Sequence, residues 1–139
     1  MSATPLSLKA LLVSNKTVET AFPGLPGFKV TLGFLSRDTL LNIRKKATRT
    51  HVKNRQTVEE LDDKLFLQLY AKSSVLGWTG LKLHYLEQLV PVDLEGQNLE
   101  DELPYSEENA LFLMQGSPNF DAFVSETVTE LSNFKKSSV

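Results

Sequence analysis

Two proline–glycine breakers within five residues, Pro23-Gly24 and Pro26-Gly27, constrain this chain more than any other feature. Proline presets φ and glycine accepts φ > 0, so Phe22-Pro23-Gly24-Leu25-Pro26-Gly27-Phe28 must turn. Residues 16–22 before the turn are rich in Thr and Val, which favours a strand. After it, Phe28, Val30, Leu32 and Phe34 alternate with smaller or polar residues and share one face of a strand. Together these segments predict a β-hairpin with a polar outer face.

Beyond the hairpin the periodicity becomes helical. Ser36 is an N-cap, and Leu35 and Leu40 stand at the spacing of a hydrophobic staple, so a helix is predicted over 37–47. Residues 44–55 hold six Lys or Arg, no acid and little apolar content, and are expected to form an exposed turn or loop. Thr57-Val58-Glu59-Glu60 reads as a capping box opening a long helix over 58–75, with Leu61, Leu65, Phe66, Leu69 and Tyr70 on a broad apolar face. Gly77-Trp78-Thr79-Gly80 is expected to end it. Residues 81–90 fit a short helix (Leu83, Leu86, Leu89, Val90) or a strand (Leu81, Leu83, Tyr85), and the helix is preferred. The acidic residues 91–105 read as a loop. Ser106 caps a helix whose first turn carries Glu107 and Glu108, suiting the helix dipole, and Gly116 is expected at its C′ position. Ser117-Pro118 restarts the chain with a cap and a proline at N1, followed by Phe120, Phe123, Val124, Val128, Leu131 and Phe134 at helical spacing.

The expected fold class is α+β: a small N-terminal β-hairpin followed by a mostly helical body of four or five helices. Residues 1–15 are left as an N-terminal arm, helical or strand-like. Residues 16–134 are expected to form one domain, and 135–139 a frayed basic tail.

Composition narrows function by exclusion. The 139 residues are 41% hydrophobic and 23% charged, which suits a folded chain with a core. There is no cysteine, which removes disulfides, thiolate metal sites and cysteine nucleophiles. The two histidines, His51 and His84, are not spaced as ligands or as members of a triad. No nucleophile elbow, P-loop or dinucleotide fingerprint occurs. No catalytic, cofactor or metal residue is therefore assigned, no cofactor is expected, and an enzyme is the least favoured class. No apolar run approaches the roughly 18 residues of a membrane span, and the start lacks a basic signal region, so no membrane partner is expected. The net charge of −2 gives no overall field for nucleic acid, which is not expected as a partner. The basic residues 44–55 are the sharpest local charge feature, with a solvated helix end as the plainer reading and a contact for phosphate or an acidic partner as the other. They hold no aromatic for base stacking. Opposite in sign, the acidic residues 93–108 suit a contact with them either inside one molecule or between copies, as self-association. The apolar stripe near the C-terminus has core packing as its plainer reading and a partner-binding face as its alternative.

The order of motifs resembles the tail assembly chaperones of long-tailed bacteriophages. It is carried by Pro26-Gly27-Phe28-Lys29-Val30-Thr31-Leu32, by Leu35-Ser36-Arg37-Asp38, and by Asp63-Lys64-Leu65-Phe66-Leu67-Gln68-Leu69-Tyr70. Trp78-Thr79-Gly80-Leu81 and then Leu103-Pro104-Tyr105-Ser106-Glu107-Glu108-Asn109 are its most specific pieces. The resemblance covers about residues 22–134. It implies a protein that binds the long helical tape measure protein, keeps it soluble, helps tail tube subunits polymerise around it, and leaves before the tail is finished. The implied partners are the tape measure and tail tube proteins, and the implied location is the host cytoplasm, with absence from the mature virion. The expected contact residues are Phe120, Phe123, Val124, Leu131 and Phe134, helped by Arg44, Lys45, Lys46 and Arg49. Lys135-Lys136 further suggests a programmed frameshift site near the end of the gene. The rival expectations are a structural virion subunit (tail completion or head–tail joining) and a nucleic-acid-binding module using 44–55.

Overall fold

A computed structural model describes residues 6–11 and 16–134. The tail 135–139, its frameshift motif, and much of the N-terminal arm lie outside the described residues. Within the arm, α1 (Leu8–Leu11) is a single exposed turn.

The double Pro-Gly turn forms as its chemistry requires. Gly24 and Gly27 both have positive φ, and β1 (Thr17–Ala21) pairs antiparallel with β2 (Lys29–Gly33). Phe28, Val30 and Leu32 are fully buried, as their alternation predicts. Next comes α2 (Arg37–Lys46), capped by the Ser36 hydroxyl, which accepts from the Thr39 amide at 3.1 Å.

From here the expected plan needs correction. The protein is not one small hairpin followed by a mostly helical body; its described residues form five strands in two antiparallel sheets, and α1 precedes the first hairpin. Residues assigned to a loop and a helix start form a second hairpin, β3 (Thr48–Lys53) and β4 (Gln56–Leu61), paired from Thr48↔Leu61 to Lys53↔Gln56. Its two-residue turn places Asn54 at φ 52° and Arg55 at φ 66°, the left-handed pair that matches strand twist. The Thr-Val-Glu-Glu signal at 57–60 is therefore strand, not a capping box. The true N-cap is Asp62, whose carboxylate accepts from the Leu65 amide at 3.0 Å, and α3 spans Asp63–Ser74. A chain leaving α3 at Val75 stays extended as β5 (Val75–Thr79) and adds to β2, giving the order β1-β2-β5. Gly77-Trp78-Thr79-Gly80 therefore does not end a helix; a short edge strand carries too few alternations to outvote its glycines.

Of residues 81–90, only α4 (Leu83–Leu86) is helical, a single turn. The acidic residues that follow are irregular. α5 (Glu107–Gly116) and α6 (Pro118–Val128) start at Ser106 and Ser117, whose hydroxyls accept from Asn109 and Phe120 amides at 3.0 and 3.1 Å. Gly116 is the last residue of α5 without positive φ, not a left-handed C′ residue. Its missing side chain admits Val90, whose Cγ1 would lie 3.1 Å from a Cβ there. A 3-10 turn, Leu131–Phe134, closes the described chain.

The core lies between the three-stranded sheet and the helices α3, α5 and α6. Val30 and Trp78 are cross-strand partners, and Trp78 meets Phe28, Phe120 and Tyr105 edge-on at 5.2–6.4 Å between centroids. Phe120, Val124 and Val128 of α6 are fully buried against this layer. Each such side chain contributes roughly 1.5–3 kcal/mol of burial.

Candidate partner-binding surfaces

The two motifs that are far apart in sequence around Trp78 and Tyr105 meet in space. The Trp78 indole donates to the Leu103 carbonyl at 2.9 Å, and the Tyr105 hydroxyl donates to the Val75 carbonyl at 2.9 Å. The Leu103 amide donates to Leu81 at 2.7 Å, the Leu83 amide to Asp101 at 2.8 Å, and the Gly80 amide to the Glu102 carboxylate at 2.8 Å. Lys82 and Glu100 pair at 2.9 Å on the surface. Their mutual hydrogen bond raises the Lys82 pKa and lowers that of Glu100. These contacts bind the acidic loop to β5 and deliver Ser106 to cap α5. They are architectural, and they hold α5 beside α3.

That placement leaves an open groove of about 410 Å³ between the two helices. Leu65 and Leu69 line it from α3 and Leu111 from α5, with Gln68, Lys72, Glu107 and Glu108 around it. Six of the twelve residues of α3 are apolar, and Lys64, Gln68 and Lys72 form its polar stripe. Leu67, Tyr70 and Ala71 pack on the core, while Leu65, Phe66 and Leu69 do not join it and stay half-exposed. Tyr70 fixes the helix by donating to Ser125 of α6 at 3.1 Å, and its burial raises the phenol pKa. Phe112, one turn beyond Glu108 on α5, is 58% exposed. Among the described residues, Leu65, Phe66 and Leu69 are thus apolar side chains left without full cover.

The expected contact residues are placed elsewhere. Phe120 and Val124 are fully buried, and Phe134 is buried against Phe34 with centroids 5.4 Å apart. Phe123 is half-buried against Phe22 at 4.8 Å, and Leu131 alone of the five is widely exposed. The stripe is thus mostly core, and a partner would have to open the core to reach it. The groove was missed because Leu65, Phe66 and Leu69 read as one core-facing stripe together with Tyr70, whereas α3 turns only part of that stripe inward.

The basic residues fall on an exposed ribbon. Arg44, Lys45 and Lys46 form the last turn of α2, and Arg49, Lys53 and Arg55 lie on β3 and its turn. Arg49 is tied to Asp62 at 2.8 Å; none of the other five has a carboxylate within 4.0 Å among the described residues. His51 lies 3.7 Å from Glu60 and His84 3.8 Å from Glu100, both at the surface. Among the described residues no helix is long and apolar enough to cross a membrane.

Among the described residues, then, antiparallel sheets carry helices on an aromatic core and leave a groove between α3 and α5 open. The chain belongs to the YdaY prophage protein family, whose model matches residues 36–139, and it is a phage-derived protein. No curated protein and no solved structure matches it.

Proposed function

We propose that this phage protein is a tail assembly chaperone whose α3–α5 groove holds an apolar helix face of the tape measure protein. One observation carries the reading: Leu65, Leu69 and Leu111 form an apolar, half-exposed trough between two helices, edged by Lys72, Glu107 and Glu108. That is the form of a site for an amphipathic helix, with leucines for anchors at i, i+4 spacing and charges to fix its direction. Prophage origin and the resemblance to tail assembly chaperones supply the client: a long helical rod that exposes apolar patches before tube subunits enclose it. Weak contacts repeated along such a rod add by avidity and yield when tube protein competes. The task consumes no nucleotide. On this reading the protein works in the host cytoplasm and is absent from finished particles.

The test is co-expression with the tape measure protein encoded by the same phage. The wild-type chain should keep the client soluble and co-purify with it. Leu65→Asp combined with Leu69→Asp should lose both effects while thermal unfolding stays cooperative, because these side chains do not join the core. A double variant that solubilises the client as well as wild type would remove the groove from the account. Recovery of the protein in purified virions would favour a structural subunit instead.

A further inference from the structure

The charges of this chain are sorted along its length and stay sorted in the fold. Residues 83–134 carry eleven Asp or Glu and no Lys or Arg. Residues 44–61 carry six Lys or Arg and two Glu. Folding does little to pair them. Of the eleven acids only Glu100 has a lysine or arginine within 4.0 Å, and of the six cations only Arg49 has a carboxylate, among the described residues. Like charges gathered on one surface repel, and an opposite surface relieves the repulsion.

The geometry of the two regions is complementary as well. The β3–β4 ribbon is exposed on both faces, with only Thr48, Val58 and Leu61 half-covered. Both outer edges lack strand partners. Val52, 74% exposed, stands beside Lys53 and close to the Arg55 turn. On the acidic side, residues 91–102 are exposed almost throughout, with Val92 and Leu99 presented among Asp93, Glu95 and Asp101. Among the described residues, the ribbon and the end of α2 thus present five cations without a carboxylate within 4.0 Å, together with the exposed Val52, and residues 91–102 present carboxylates together with the exposed Val92 and Leu99.

We propose that the β3–β4 ribbon of one copy docks on the acidic 91–102 surface of a second copy. The two patches are different surfaces of one molecule, so the contact either forms twice in a two-fold pair or propagates head to tail in a row. It leaves the α3–α5 groove free, and it does not rest on the groove having a client.

The test is sedimentation of the full chain with two charge-reversed variants. One carries Lys45→Glu, Lys53→Glu and Arg55→Glu; the other carries Asp93→Lys, Glu95→Lys and Asp101→Lys. Wild type should associate at low salt and dissociate at high salt. Each variant alone should associate at least about tenfold more weakly, because like charges then meet. Mixed together, the two should restore association as a one-to-one pair. All substituted side chains are exposed, and circular dichroism checks that the variants fold. A wild type that stays monomeric at low salt overturns the proposal, and so does association that both variants retain. Salt-sensitive retention of a DNA duplex by wild type, lost in the ribbon variant without any restored pairing, assigns the ribbon to nucleic acid and also overturns it. Each of these failures leaves client binding in the groove intact.

Discussion

Gly80 sits at φ +75° where a Cβ would run into the Gly27 carbonyl oxygen. A side chain there meets backbone, which cannot move aside as a flexible side chain would. Gly80→Ala should therefore cost at least about 2 kcal/mol, from strain and overlap together. A urea titration that places the variant within the error of wild type would refute this. The Lys82–Glu100 pair makes a pH prediction. Glu100 is lowered from its ordinary value by the lysine, so its contribution is present above the ordinary glutamate range and fades as pH falls through the lowered pKa. Lys82 is raised, so its contribution is present below the ordinary lysine value and fades as pH rises through the raised one. The tether between residues 82 and 100 is thus strongest at neutral pH. In Lys82→Met, an NMR titration should find Glu100 returned toward its ordinary pKa; an unchanged midpoint would mean the pair does not form in solution. At this scale the sequence was easiest to read where the chemistry is local. Ser36, Ser106 and Ser117 cap helices as their neighbours require.

Elements were harder, because the same local signals serve more than one end. Thr57 and Glu60 have the spacing of a capping box, yet their partners come from β3 across the ribbon. Pairing between residues 48 and 61 leaves no apolar alternation, since a ribbon exposed on both faces needs none. β5 is hidden for another reason: it buries only Val75 and Trp78, three apart, and its run is too short to show a period. The first hairpin and α6 were legible because each commits one clean face to the core. The apolar groove was not, since telling a core-facing leucine from an uncovered one on α3 requires knowing where α5 lies. The ribbon's isolation has a dynamic consequence. Its amides should exchange with solvent well before those of β2, the central strand of the three-stranded sheet. Hydrogen exchange that finds 48–61 as protected as 29–33 would show the ribbon packed against something in solution.

For the whole molecule, charge and apolar surface are partitioned. The core spans the sheet and three helices, six of the fifteen cations gather on the ribbon and the end of α2, and eleven of the seventeen acids fall within residues 83–134. Screening should therefore help the isolated fold. In dilute protein, raising salt should raise the thermal midpoint as repulsion among residues 83–134 is weakened; a falling midpoint would mean that pairing outweighs repulsion. The open groove lies on different residues from the β3–β4 ribbon and from the 91–102 surface, with Glu107 and Glu108 of the acidic half at its edge. The most direct measurement is hydrogen exchange of the chain with and without a helical segment of the tape measure protein. The account predicts new protection on α3 and α5, centred on Leu65, Leu69 and Leu111. Protection confined to the β3–β4 ribbon, with α3 and α5 unchanged, would contradict it.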